Sequence, residues 1–287
     1  MARKKKAALT PEYLSEQLNS FVKHLELAER SLSTCTQYLR DLQQFIAWLG
    51  DAEVERSTVL CYKEKLRQEY KPSSVNTKLA AMNSFFKFLE RGDLRVEQIS
   101  IQRRAYCSSE RLLSMEEYFR LVEAAEASGN MQLALIIQTI CGTGIRVSEL
   151  AYITAGAVAQ GEATVSLKGK TRQILISSKL RRKLKEYAKK TGIKSGPLFV
   201  SKTGRPLDRT YIWRKMKELC GVAGVEPSKV FPHNLRHLFA RTFYKRHKDI
   251  AKLADILGHS SINTTRIYII STGKEHEECI DCLGLVS

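Results

Sequence analysis

Apolar residues recur three and four positions apart through most of this chain, and only one stretch, residues 163–177, carries the pattern of paired strands. Such a chain folds as helices packed on helices, with a single hairpin among them. In residues 11–27, Leu14, Leu18, Val22 and Leu25 share one helical face. A second helix is predicted over 34–49, capped by Ser33, closed by Gly50, and buried through Leu39, Leu42, Phe45, Ile46 and Leu49. A third is expected over 57–69. Pro72-Ser73-Ser74 then punctuates the entry to a fourth over 75–89, whose apolar residues include Leu79, Met82, Phe85, Phe86 and Leu89. The four resemble a small helical bundle.

From 91 to 111 the helical period is lost, and polar or basic residues such as Gln102, Arg103 and Arg104 dominate, which marks an interdomain connection. The expected organisation is a basic leader (1–10), a helical domain (11–92), a linker (93–111), a second domain (112–271) and a tail (272–287). The second domain opens on a capping box, Ser114-Met115-Glu116-Glu117, with a helix to about Ala127. Leu133 to Cys141 reads as a buried helix ended by Gly142-Thr143-Gly144. ATVSL and RQILIS flank Lys168-Gly169-Lys170-Thr171, a hairpin with a basic turn. The remainder of the chain is again helical, broken at 192–197, 204–206, 221–227 and Gly258. The fold class is mainly α with a small β-sheet.

Charge narrows the partner. Lys and Arg number 47 against 30 Asp and Glu, a net +17 that calls for a polyanion. Lys65, Arg67, Lys71, Lys78 and Lys87 lie close to the last two bundle helices, where one positive side would follow a phosphate backbone. No apolar run approaches the roughly 18 residues of a membrane span. The start, MARKKKAALTPEY, has the charge of a signal peptide without its apolar segment, so a cytoplasmic, nucleoid-associated protein is expected. Seven cysteines, an odd number and widely scattered, are expected as reduced thiols.

Single polar residues of the second domain are ambiguous. Arg146 and Glu149, three apart in GTGIRVSEL, are by themselves an ordinary ion pair on a helical turn. His233 and Arg236 repeat that spacing in FPHNLRHLF, after a proline suited to a helix start. His259 follows the glycine in LGHSS, and Tyr268 lies nine residues further on in TTRIY. Alone, each would be ordinary packing.

In series, with Lys168 at the hairpin turn between the first and second pairs, the set resembles the tyrosine recombinase (phage integrase) family. The helical amino-terminal domain looks like that family's SAM-like core-binding domain, so the resemblance spans nearly the whole chain. It implies a mixed α+β catalytic domain and a C-shaped clamp on double-stranded DNA. It further implies site-specific strand exchange through a 3′-phosphotyrosyl intermediate, with no cofactor and no metal. By resemblance, Arg146 and Arg236 clamp the phosphate, His233 and His259 are the paired catalytic histidines, Lys168 is the hairpin lysine and Tyr268 the nucleophile. Glu149 takes the family's supporting acidic position. The turn LKGKTR is about one residue shorter than the family pattern, which leaves Lys170 as a rival to Lys168, and Ile-Ile-Ser after Tyr268 replaces the Thr-His common in relatives.

The chemistry explains the residue types. Phosphodiester exchange builds negative charge on the non-bridging oxygens, and two planar, permanently charged guanidiniums stabilise it as a metal would. A phenol keeps its proton at neutral pH, so Tyr268 needs a base, for which His233 is the candidate. The departing 5′-oxygen needs a proton, which Lys168 would supply, while His259 would donate to the phosphate.

The tail, ending Cys282-Leu283-Gly284-Leu285-Val286, is read as an element exchanged between protomers of a homo-tetramer on paired DNA sites. Its string of His276, Cys279 and Cys282 offers three ligand types without a fourth, and is better read as helix-face residues than as a zinc site. With 287 residues and a short leader, the chain leaves no room for the arm-binding domain of many phage integrases, and a simple two-domain enzyme of the Xer-like or mobile-element type is expected. A type IB topoisomerase and a catalytically silent DNA-binding regulator of the same fold are the alternatives.

Overall fold

A computed structural model describes residues 9–101, 111–167, 170–269 and 281–283. The leader through residue 8, Gln102 to Arg104 of the expected linker, Lys168, and most of the tail, including His276 and Cys279, lie outside the described residues. The chain divides into two compact units, Met1–Arg103 and Arg104–Ser287.

The first unit holds helices α1 (Pro11–Leu27), α2 (Leu32–Leu49), α3 (Arg56–Glu69) and α4 (Pro72–Phe88). Each presents one apolar stripe to a common core, built around Leu14, Phe21, Leu42, Phe45, Tyr62, Leu79, Phe85 and Phe86. Phe21 takes the buried place expected of Val22, because the stripe of a 3.6-residue helix drifts by one position. The cap of α2 is Ser31, two residues before the expected Ser33, and its Oγ accepts from Thr34 N at 3.3 Å. Pro72 is the first residue of α4, so the helix starts at the punctuation, where a missing N–H costs nothing.

Of the cations assigned to a phosphate-facing side, Lys78 serves the interior instead. Its Nζ donates to Asp41 Oδ1 at 3.0 Å and Gln44 Oε1 at 2.6 Å, with the Asp41 side chain only 2% exposed, which ties α2 to α4. A carboxylate that deep requires a paired cation. Lys65 and Arg67 form exposed pairs with Glu69 and Glu64, while Lys71 and Lys87 are exposed. Beyond α4 the chain stays pinned to this unit: Asn83 brackets the backbone of Val96, and Asn76 that of Ile99, each with one bond given and one accepted.

The second unit contains α5 (Met115–Ala127), α6 (Met131–Thr143), a 3-10 segment (Val147–Tyr152), α7 (Ala155–Gln160), strands β1 (Glu162–Leu167) and β2 (Lys170–Leu175), α8 (Ser178–Thr191), α9 (Arg209–Glu218), α10 (Cys220–Ala223), α11 (Pro232–His247), α12 (Ile250–Leu257) and α13 (Ile262–Arg266). This is the mainly helical architecture with a small sheet that the periodicity predicts. The capping box at Ser114 and Glu117 is present. Helix α6 is apolar around most of its circumference from Leu133 to Ile140, Gln138 excepted, because α5, α8, α9 and α11 pack against it. The strands pair antiparallel with Leu167 opposite Lys170, which places Lys170 in β2. Among the described residues no helix is long and apolar enough to cross a membrane.

Candidate active site

The end of α6 sets the first arginine. Gly144 closes the helix at φ +68°, a left-handed conformation, and a Cβ there would overlap Phe239 and Leu257. Arg146 then caps the 3-10 segment, and its backbone N–H donates to Glu149 Oε2 at 2.7 Å while its Nη1 meets Oε1 at 3.0 Å. This is more than a surface pair, since Glu149 is 1% exposed. Burial alone would raise the Glu149 carboxyl, but the Arg146 backbone bond and the charges of Arg172 and Arg146 outweigh it and lower it.

Helix α11 begins with Pro232 at its first position, which aims His233 outward and Arg236 inward one turn later. Arg236 is 1% exposed. Its Nη1 donates to Gly144 O at 2.5 Å, and its Nη2 to Leu257 O at 2.8 Å and His259 Nε2 at 2.8 Å. One guanidinium thus joins the GTG turn, the head of α11 and the LGH turn. Burial pulls it down to about 10, Arg146 adds to the effect, and the neighbouring Tyr268 phenol opposes it.

His259 sits past the C-terminus of α12, turned by Gly258 at φ +65°. Because a guanidinium only donates, Nε2 of His259 is an acceptor here, and Nδ1–H therefore donates to Thr265 Oγ1 at 2.9 Å. The ring is neutral: burial, then Arg236, Arg146 and Arg172, push it down to about 4. Donation from Nε2 to a phosphate, the expected role, requires a proton that this arrangement does not hold.

Tyr268 follows α13 and is 7% exposed, packed with Ala240, Leu253 and Leu257. Its ring lies 5.2 Å from His233, 5.2 Å from His259 and 4.4 Å from His237, and 5.4 Å from the Arg236 Cζ. His233 is lowered by partial burial of its ring, then by Arg236, Arg146 and Arg209. The structure therefore brings Arg146, Glu149, His233, Arg236, His259 and Tyr268 together within one chain. Lys168 is outside the described residues.

Three members were not singled out in the sequence. Arg172 donates to Glu149, Thr265 orients His259, and His237 stacks on Tyr268 at 29° and bonds its backbone. Arg172 had a readable signal: in β2 it shares the inward face with buried Ile174, an unusual place for a charge. His237 lies one helical turn after His233, on the same face. Glu149 pairs with two guanidiniums, from Arg146 and Arg172, while Arg236 has no carboxylate partner among the described residues, so positive charge remains for an anion. Among the described residues no group of three or more His, Cys, Asp or Glu is placed to hold a metal ion.

Residues 111–275 match the phage integrase family, and residues 18–92 match the phage integrase N-terminal SAM-like domain. The chain belongs to the phage integrase family. It is a tyrosine recombinase, acting in site-specific recombination, and the relatives agree in name. The tyrosine recombinase XerA of Pyrococcus furiosus is 31% identical, covering 95% of each chain, and XerD of Rhizobium meliloti is 30% identical over 84% of this chain and 86% of its own. Solved structures share the fold: XerH bound to difH in a pre-cleavage complex has a TM-score of 0.68 at 20% identity, covering 93% of this chain and 84% of that one. A lambda integrase tetramer bound to a Holliday junction has 0.70 at 19%, covering 93% and 81%.

The depressed histidines have a consequence for stability. His237, pushed to about 4 by burial and then by His233, and His259 both sit below the 6.5 of an unfolded imidazole. Between those values the unfolded chain binds protons that the recombinase does not, so stability rises with pH through the window. Urea unfolding of the recombinase at pH 7.5 and pH 5.0 should show a lower midpoint at the acid value. An unchanged midpoint would contradict neutral, partly buried rings.

Proposed function

We propose that this recombinase cleaves and rejoins duplex DNA with Tyr268 as nucleophile, through a 3′-phosphotyrosyl link. Arg146 and Arg236 hold the non-bridging oxygens, and Glu149 fixes Arg146 at the rim while Arg236 anchors the interior. His233, neutral and beside the Tyr268 ring, takes the phenolic proton as the oxygen attacks phosphorus. The bond to the 5′-oxygen breaks, and that oxygen leaves with a proton from Lys168. The phosphotyrosine keeps the ester for rejoining to another strand. No step draws on a metal or a high-energy cofactor.

The observation that carries this reading is the position of Tyr268, buried among three imidazoles and 5.4 Å from a guanidinium of its own chain. A domain organisation of 11–92 and 112–271 joined by 93–111 and closed as a clamp on DNA, a homo-tetramer on paired sites, supported by the lambda integrase tetramer bound to a Holliday junction, and tail exchange through 272–287 belong to the same proposal. So do a mobile-element or Xer-like role and a cytoplasmic, nucleoid-associated location. A duplex nicked close to the cleavage point loses its 5′-hydroxyl strand and traps the adduct. With EDTA present, the recombinase should accumulate a covalent protein–DNA species whose DNA-bearing peptide contains Tyr268. An adduct on another residue, or one that forms only with divalent metal, would refute the scheme.

A further inference from the structure

Arg172 joins segments far apart in sequence. From β2 its Nη2 reaches Glu149 Oε2 at 2.5 Å and its Nη1 reaches Ile256 O at 2.6 Å. The next carbonyl, Leu257 O, is bonded by Arg236. Two successive carbonyls at the C-terminus of α12, where partial negative charge accumulates, are thus each held by a different guanidinium. The turn after them carries His259. A Cβ on Gly258 would overlap the Arg172 Cδ, so the glycine is needed for the arginine's path as well as for its own φ of +65°.

On its other side Arg172 shares Glu149 with Arg146, one carboxylate oxygen to each side chain. The arrangement also carries a cost. The Arg172 Nε is buried with no hydrogen-bond partner among the described residues. What the arginine provides is a fixed distance between the carboxylate that orients Arg146 and the helix end that Arg236 also grips.

We propose that Arg172 is a positioning residue for the phosphate clamp: by gripping Glu149 and the end of α12 together, it sets how Arg146 and Arg236 face the scissile phosphate. This rests on the clamp assigned above. Arg172 itself touches no reacting atom.

Arg172→Ala should slow single-turnover cleavage of a phosphodiester substrate by about 100-fold while duplex affinity changes by less than about 3-fold, the pattern of a displaced support. A substrate with a methylphosphonate at the scissile position has no charge on its non-bridging atoms and relies less on cations. On it the deficit should shrink to below about 10-fold, in parallel with that of Arg146→Ala. Equal losses on both substrates, or no loss on the phosphodiester, overturn the proposal. Arg172→Lys keeps the charge but lacks the fork; it should show a smaller loss with the same shrinkage, and it decides the matter if the alanine variant does not fold. Rescue of Arg146→Ala without rescue of the Arg172 variants removes this proposal and leaves the clamp standing. Failure to rescue Arg146→Ala, with wild-type enzyme cleaving the uncharged substrate, removes the clamp and the proposal with it.

Discussion

Tyr268→Phe should bind its DNA and form no covalent adduct, a fall in cleavage of more than about 10⁴-fold, as when other covalent catalysts lose their nucleophile. The substitution removes one oxygen and keeps the ring, and the ring is what packs. Its contacts with Ala240, Leu253 and Leu257, and its stacking on His237, survive in phenylalanine. Thermal stability should therefore stay within about 1 kcal/mol of wild type. The hydroxyl is carried by the ring that lies against His233, His237 and His259. Electrophoretic mobility shift measures binding, and a denaturing gel of the nicked substrate measures the adduct. An adduct that persists in the variant would mean that another group attacks phosphorus.

How much of this was legible in the sequence depends on range. Helices came through because their signals are local: the stripe of Leu14, Leu18 and Leu25, the capping box at Ser114, Pro232 before His233. Boundaries moved where two residues competed for one task, as Ser31 and Ser33 did for the cap of α2. The site residues were readable only as an ordered set that resembles a known family's, since each by itself would be ordinary packing. Their partners were not. Nothing local says that Lys78 is committed to Asp41, 37 positions away, or that Arg172 reaches Ile256, 84 positions away. The direction of the His259 hydrogen bonds was also hidden, because it depends on which nitrogen Arg236 meets. Periodicity identifies a buried face, whereas pairing across the core is decided by the packing of whole elements.

Arg236 separates charge from shape most sharply, and its replacement should harm both folding and chemistry. Arg236→Ala leaves Gly144 O and Leu257 O buried without their donor and His259 Nε2 without its own, a cost on the order of 3–5 kcal/mol to the second unit. Arg236→Lys keeps the charge and satisfies part of that set, so it should recover more of the stability than of the rate. Cleavage by the lysine variant is expected to remain about 10²–10³-fold below wild type, since a single ammonium cannot bridge two backbone turns and still present a fork to phosphate. The field offers a further readout. Arg236 is a cause of the low values of both His233 and His259, so Arg236→Ala should raise both, and imidazole titration by NMR should move toward 6.5. Arg236→Lys should leave them low. If the two variants titrate alike and lose equal activity, fork geometry rather than charge governs the site. If Arg236→Lys cleaves like wild type, the guanidinium is a structural strut and the clamp must lie elsewhere.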